Sequence, residues 1–257
     1  MIEIDVHKIF ENAGLAKNDT VMMHGNAGVA AQFFNIEKRN RVHYLIDSIV
    51  DYFYPNGTVI FPTFSYSFTR KIDFDRDTSP SELGQFSENC RKFPKTIRSL
   101  NPNFSVACIG RESKKYAFSR IDDAFGEGTI FDLVRKNKVY LICLGCDFNK
   151  ISFTHYVEQA FKVPYRYFKK FSGNILINKK KFFVKTTYFT RRLDINTKID
   201  LNKLKLILLK KKKLNIVNIG RFPIYVTNSS DFYENAKNLL KQNPYSLIQL
   251  GNEKNFE

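Results

Sequence analysis

The feature that most constrains the fold is an amphipathic helix set between two short apolar runs. Residues 37–53 carry apolar side chains at helical spacing, and this pattern ends at Pro55-Asn56-Gly57. The run Thr20–His24 precedes the helix and Thr58–Phe61 follows it, and both have the length of buried strands. Strand, helix and strand in this order form the unit of a parallel sheet, so this part of the chain predicts an α/β fold.

A long irregular segment separates this unit from a second one. Residues 63–97 are polar and aromatic without a regular period. Segments of that length are uncommon without a functional reason, so we expect this one to face a substrate. Beyond it, strand and helix patterns return, and the last apolar strand ends at Gly145. The predicted elements are strand 105–109, helix 111–118, helix 130–137 and strand 139–144.

The apolar period changes to two after Pro164. Strands are predicted over 166–171, 175–177 and 182–189, joined by turns at Ser172-Gly173-Asn174 and Asn178-Lys179, which together indicate an antiparallel meander. A terminal α/β piece covers 201–209, 214–219, 224–227 and 231–240. Since no repeat or low-complexity linker interrupts the chain, we predict one domain over residues 1–257 with a β-rich subregion at about 164–200.

The net charge of +16 indicates an anionic partner but does not tell which class of partner it is. It suits nucleic acid, an anionic membrane face or a small anionic ligand. The basic residues are scattered along the sequence and no nucleic-acid motif is present, so a basic nucleic-acid-binding protein is kept only as the alternative of another class. The N-terminus lacks the layout of a signal peptide, and no apolar run approaches the roughly 20 residues of a membrane span, so we expect a cytoplasmic protein without membrane insertion.

We expect the four cysteines to be free thiols, because they are too few and too dispersed for a disulfide framework. Cys143 and Cys146 form a lone C-x-x-C whose first half lies in a predicted buried strand. No second pair exists to complete a metal site, so we predict no metal.

A histidine and a carboxylate stand three residues apart at a predicted helix start. His155 and Glu158 would share one helical face, where the carboxylate can hold the imidazole in a useful tautomer and offset the charge of the imidazolium. His24 ends one predicted strand and His155 comes shortly after another, and ligands of parallel sheets bind outside the carboxyl ends of strands. This placement makes His155 a candidate general base.

Two other local sequences leave alternatives open. Arg98 with Ser99 and Ser105 would either cap a turn or anchor phosphates or a carbonyl through a fixed guanidinium and hydroxyls. The segment 124–129 contains two glycines and a threonine, and it would either form a plain turn with Thr129 as helix cap or bind an anion with its N–H groups.

The order of the motifs resembles that of the aminoglycoside 3-N-acetyltransferase family, also called the antibiotic N-acetyltransferase family. The similarity runs from about Leu15 to Pro244. At the first strand the family shows His-Ser-Ser, whereas this chain has His24-Gly25-Asn26-Ala27. The motifs that carry the resemblance are GTVIFPTF, GQFSENCR, RSLNPNFSVACIG, FGEGTIFDL, ICLG and THYVEQ.

The resemblance implies a three-layer α/β/α fold with a smaller antiparallel β-containing region and transfer of an acetyl group from acetyl-CoA to an amine. His155 would be the general base and Glu158 would orient it, by direct transfer in a ternary complex. Thr154, Ser99 or a backbone N–H would donate to the oxyanion. The remaining predicted contacts are His24, Asn26, Arg98, Ser99 and Ser105 for acetyl-CoA, and Thr63, Glu88 and Asp123 for the acceptor.

The predicted acceptor is an amino sugar, nucleotide-linked as in surface polysaccharide biosynthesis. A chain of +16 repels polycationic aminoglycosides and attracts a pyrophosphate. The alternative is an aminoglycoside 3-N-acetyltransferase that confers antibiotic resistance. The residues predict no nucleic-acid partner and leave the oligomeric state open, a homo-oligomer included.

Overall fold

Asp5 is the N-cap of the first helix, because its side chain accepts a hydrogen bond from the backbone N–H of Lys8. The computed structural model describes residues 4–249. The α-helices are α1 (Val6–Asn12), α2 (Arg41–Phe53), α3 (Gln85–Lys92), α4 (Ser113–Ala117), α5 (Ile130–Lys136), α6 (Thr154–Ala160), α7 (Asn202–Lys210) and α8 (Ser229–Gln242). The strands are β1 (Thr20–Gly25), β2 (Thr58–Pro62), β3 (Phe74–Asp75), β4 (Ile97–Arg98), β5 (Val106–Gly110), β6 (Tyr140–Leu144), β7 (Arg166–Ile177), β8 (Lys180–Arg191), β9 (Lys198–Ile199), β10 (Leu214–Ile219), β11 (Phe222–Asn228) and β12 (Ile248–Gln249).

A seven-stranded mixed sheet runs through the middle of the molecule in the order β10-β11-β6-β1-β2-β5-β4. Strands β1 and β2 are parallel, as the strand, helix and strand pattern predicted, and β6 is also parallel to β1. Strand β5, for which the sequence predicted no direction, pairs antiparallel to β2. The chain leaves β2 at Pro62 and returns opposite it at Val106, so it re-enters the sheet at the end that it left.

Helices cover both faces of this sheet. Alternate side chains of each strand point to opposite faces, so Met22 enters one buried cluster with α4, α5, α7 and α8, whereas Val21 and Met23 enter another with α1, α2 and α3. The predicted three-layer α/β/α fold is confirmed. No helix in the described part of the chain is long and apolar enough to cross a membrane.

Strands β7 and β8 form a long hairpin beside the main sheet, and β3 joins it in parallel. The predicted turn at Ser172-Gly173-Asn174 is wrong, because β7 continues through it and Gly173 pairs with Val184. A Cβ at Gly173 would lie 2.8 Å from Phe68 Cε1, so this glycine serves a close contact instead of a turn. The turn at Asn178-Lys179 is where the sequence predicted it, with φ of 49° and 65°.

Candidate active site

A cavity of about 710 Å³ opens where β1 and β6 end, at the carboxyl edge of the parallel strands. His24 at the end of β1 and His155 on α6 both line it. Part of the irregular segment also reaches it, through Phe64, Tyr66 and residues 82–87. The other lining residues are Gly25, Asn26, Ala27, Gly28, Cys146, Asn149, Lys150, Ile151, Ser152 and Ile199.

His155 belongs to a buried relay of three charged or titratable side chains. Its Nδ1 lies 2.7 Å from Glu158 Oε2, and Arg166 Nε lies 2.8 Å from the same oxygen. Arg166 Nη2 also lies 3.0 Å from His155 Nδ1. Glu158 is completely buried and Arg166 nearly so, whereas the His155 side chain is 23% exposed. One turn of α6 separates His155 from Glu158, and Arg166 comes from the first position of β7.

The charges in this relay set its protonation. Burial raises the pKa of Glu158, but the Arg166 charge and the His155 hydrogen bond outweigh it, so the pKa lies below its ordinary value. Because the ionised carboxylate can only accept, we assign the proton of the neutral ring to Nδ1, which leaves the Nε2 lone pair of His155 free. In this tautomer Arg166 Nη2, 3.0 Å from Nδ1, acts on the ring through its charge and not through a hydrogen bond. Burial and the Arg166 charge hold the pKa of His155 below 6.5, although Glu158 opposes them. A neutral imidazole with a free Nε2 is the form that a general base requires.

His24 anchors the start of the loop that leads to His155. Its Nε2 lies 2.9 Å from Ser152 Oγ and accepts a hydrogen bond from the Ser152 backbone N–H at 3.3 Å. The Ser152 carbonyl in turn accepts the backbone N–H of His155 at 3.0 Å. Burial and the nearby His155 lower the pKa of His24 to about 4, so His24 is neutral. His24 thus lines the cavity and also contacts the loop that leads to His155, while its contact with acetyl-CoA stays a prediction.

The predicted acetyl-CoA contacts fall into two groups in space. His24 and Asn26 line the cavity, and the Asn26 side chain accepts the Gly28 N–H at 2.8 Å. Arg98 and Ser105 are buried in a separate network, where the guanidinium donates to the Thr63 carbonyl at 3.1 Å and to Ser105 Oγ at 3.2 Å. Ser99 Oγ accepts the Val106 N–H. This second group braces the irregular segment against β5 and does not line the cavity.

The predicted acceptor contacts are similarly engaged inside the protein. Thr63 Oγ1 donates to the Ser105 carbonyl, and Glu88 pairs with Arg91 at 2.6 Å. Asp123 accepts the Gln159 side-chain amide at 3.1 Å. Thr154, the neighbour of His155, is buried and donates to the Ile151 carbonyl. These four residues do not line the cavity around His155.

Comparison with known proteins identifies the family of this chain. A family model described as Aminoglycoside 3-N-acetyltransferase matches residues 33–241. The chain belongs to this family. The predicted resemblance and acetyltransferase activity are thereby confirmed.

Several relatives share the fold at low identity. The SPbeta prophage-derived aminoglycoside N(3')-acetyltransferase-like protein YokD of Bacillus subtilis (strain 168) is 21% identical over 199 residues, which are 65% of this chain and 68% of YokD. The YokD crystal structure has a TM-score of 0.76 at 17% identity, over 95% of both chains. AAC-IIIb, solved with CoASH, has a TM-score of 0.76 at 17% identity, over 92% of this chain and 95% of that one. The family and its CoA-bound member confirm acetyl-CoA as the predicted cosubstrate.

A third relative has been solved as a complex with an antibiotic. A histidine-to-alanine variant of the aminoglycoside acetyltransferase AAC(3)-IVa in complex with apramycin has a TM-score of 0.74 at 18% identity, over 96% of both chains.

Arg166 and Ser152 are the site residues that sequence reasoning missed. Arg166 stands eight positions after Glu158 and beyond the end of α6, so no helical spacing links the two. Ser152 meets His24 only because β1 and β6 are neighbours in the sheet. One signal for Arg166 was available, since a carboxylate on a buried helix face requires a cation nearby.

Proposed function

We propose that this protein transfers the acetyl group of acetyl-CoA to an amine on an amino sugar, with His155 as general base. The observation that carries the proposal is the relay from Arg166 through Glu158 to His155 at the edge of a cavity. Direct transfer in a ternary complex fits three of the four cysteines, because Cys90, Cys108 and Cys143 are buried and burial raises the pKa of each thiol. The fourth, Cys146, lines the cavity, where its thiol donates to the His24 backbone carbonyl at 3.6 Å and not to a base.

The relay divides the proton chemistry among its residues. His155 Nε2 takes a proton from the amine as its nitrogen attacks the thioester carbonyl, and Glu158 stabilises the imidazolium that results. Arg166 keeps Glu158 ionised throughout. When the C–S bond breaks, the proton on Nε2 passes to the departing CoA sulfur, which returns His155 to its neutral form. Since the Thr154 hydroxyl donates to the Ile151 carbonyl and Ser99 does not line the cavity, a backbone N–H is the remaining one of the predicted donors for the oxyanion.

The charges around the cavity support an acceptor that is not a polycation. The lining includes one carboxylate, Glu82, and the Arg70 guanidinium binds both of its oxygens at 2.6 and 3.1 Å. Lys150 adds a positive charge to the lining. An aminoglycoside would therefore find no unpaired carboxylate among the described residues of the cavity wall. A nucleotide-linked amino sugar would bring a pyrophosphate to a protein of +16, as expected for surface polysaccharide biosynthesis.

Family membership supports an aminoglycoside as the second candidate acceptor. In that case the protein is an aminoglycoside 3-N-acetyltransferase that confers resistance. The two candidates differ in the charge of the acceptor and so can be separated by one assay.

The test is release of CoA thiol from acetyl-CoA with a panel of nucleotide-linked amino sugars and a panel of aminoglycosides. We expect turnover on the first panel and a decrease of roughly 10²–10⁴-fold in His155→Ala. His43→Ala is the matched control, because His43 lies on α2 away from the cavity, and it should retain activity. Turnover on aminoglycosides alone would show that the acceptor is an aminoglycoside and not a nucleotide-linked amino sugar. Full activity of His155→Ala would overturn the mechanism.

A further inference from the structure

The β7–β8 hairpin carries a strongly one-sided charge. Residues 166–191 contain six lysines and two arginines and no aspartate or glutamate. Among the described residues, Lys181 alone of these lysines forms an ion pair, with Asp73 at 3.1 Å. The hairpin is therefore a basic element, although the sequence as a whole shows its basic residues as scattered.

The same hairpin exposes large aromatic side chains. Phe183 is 66% exposed and Phe182 is 48% exposed, and both stand close to the turn at Asn178-Lys179. Adjacent residues of a strand point to opposite faces, so the tip presents an aromatic ring on each face. Lys179 and Lys180 lie beside these rings. Because the two rings are consecutive in β8, a partner that meets the hairpin tip-first would contact both of them at once.

The carboxylates of the neighbouring strand β3 do not neutralise this tip. Asp73 is occupied by Lys181, and the Asp75 side chain accepts the backbone N–H groups of Asp77 and Thr78. Asp77 pairs with Arg76. The lysines at the turn thus keep their charge available for an anionic partner.

We propose that the tip of the β7–β8 hairpin docks on the surface of an anionic phospholipid bilayer. Phe182 and Phe183 enter the interface between headgroups and acyl chains, while Lys179 and Lys180 meet the anionic headgroups. The tip is eleven residues from Arg166, which corresponds to roughly 35 Å along the strand, so docking leaves the cavity open.

Two other occupants fit the hairpin less well. A second copy of the chain would place one basic hairpin against another, which like charges oppose. Single-stranded nucleic acid would require aromatic rings spaced for successive bases. On the face that includes Phe183, the next exposed ring is Phe168, which is six register positions away or roughly 20 Å.

The test is cosedimentation with vesicles of phosphatidylcholine alone and of phosphatidylcholine mixed with phosphatidylglycerol. We expect wild-type protein to bind the mixed vesicles, to bind less as salt increases, and to ignore phosphatidylcholine alone. Phe182→Ser with Phe183→Ser, and separately Lys179→Glu with Lys180→Glu, should each weaken binding roughly tenfold or more. Thermal unfolding verifies that each variant is folded.

Matched variants elsewhere control for charge and apolar exposure. Lys210→Glu with Lys212→Glu changes charge equally at the end of α7, and Phe118→Ser removes another exposed ring, 62% exposed. Both controls should retain vesicle binding. Failure of wild-type protein to bind mixed vesicles, equal losses in the controls, tighter binding of an oligonucleotide through the same residues, or a dimer that depends on Phe182 and Phe183 would each overturn the proposal. Thiol release is measured separately and does not enter this outcome.

Discussion

Gly25 at the end of the first strand is packed closely against the ring of Phe86. A Cβ at this position would lie 2.4 Å from Phe86 Cε1, so the serine that the resemblance led us to expect after the first histidine has no room here. The departure from His-Ser-Ser is thus coupled to the Phe86 ring on α3. The two residues form one packing unit at the wall of the cavity.

This coupling predicts a non-additive double mutant. Gly25→Ser should destabilise the fold by about 1–3 kcal/mol through overpacking. In a Phe86→Leu background the same substitution should cost less, because the ring that it meets is gone. Urea unfolding of the four proteins of the cycle measures the coupling. Additive losses would show that the backbone, not Phe86, resists a side chain at position 25.

The pKa of His155 predicts where activity is lost in acid. The imidazole acts when unprotonated, so activity falls as pH decreases through its pKa, and burial with the Arg166 charge places this limb below pH 6.5. Glu158 raises the pKa, so Glu158→Gln should move the limb to lower pH and reduce kcat roughly 10²-fold or more. The profile of kcat/KM against pH provides the measurement, with Glu112→Gln as a surface control. A limb that moves upward would contradict the relay.

Helix α3 is held in place by an ion pair at its centre. Glu88 lies 2.6 Å from Arg91 and 3.1 Å from Lys92, and it accepts the Ser81 N–H at 2.8 Å. The Arg91 hydrogen bond is the main cause that lowers the pKa of Glu88 to about 2. These contacts join α3 to the loop that lines the cavity, so we assign Glu88 to stability.

The lowered pKa of Glu88 predicts a pH-dependent loss of stability. Its contribution is present above the unfolded pKa of 4.5 and is lost as pH falls toward about 2. Glu88→Gln should lower the free energy of unfolding by about 1–3 kcal/mol at pH 7, and the difference from wild type should shrink in acid. Thermal unfolding at several pH values measures this, and kcat/KM below the transition should stay unchanged. A large loss of turnover in the folded variant would restore an acceptor-binding role.

Elements were predictable where one local period governs them, and topology was not. The amphipathic period predicted α2, which buries one face against the sheet, and the continuous apolar run predicted β6, which is buried on both faces. The direction of β5 depends on where a long segment returns to the sheet, which no window of sequence reports. The turn predicted at Gly173 was wrong for the same reason, because this glycine makes room for the ring of Phe68, which is far away in the sequence.

At the scale of the whole molecule, the fold brings the local pair of His155 and Glu158 together with residues from other elements of the chain. His155 and Glu158 were visible because α6 fixes their spacing, but Arg166 and Ser152 depend on the hairpin and on the order of strands. Of the two alternatives left open for Arg98, the contacts of its guanidinium with backbone carbonyls of the irregular segment favour a bracing role. Only the fold therefore divides the motif residues into those that line the cavity around His155 and those that brace the irregular segment.

The net charge of +16 predicts how kcat/KM for the acceptor will change with salt concentration. Between about 0.01 M and about 0.15 M ionic strength the Debye length shrinks from ~30 Å to ~8 Å, which removes long-range attraction. With acetyl-CoA saturating, kcat/KM for a nucleotide-linked amino sugar should fall several-fold over this range. The same amino sugar without its nucleotide is the control and should show little decrease, whereas an aminoglycoside should improve as repulsion is screened. A value for the nucleotide-linked acceptor that is independent of salt would mean that local contacts, not the field of the protein, select the substrate.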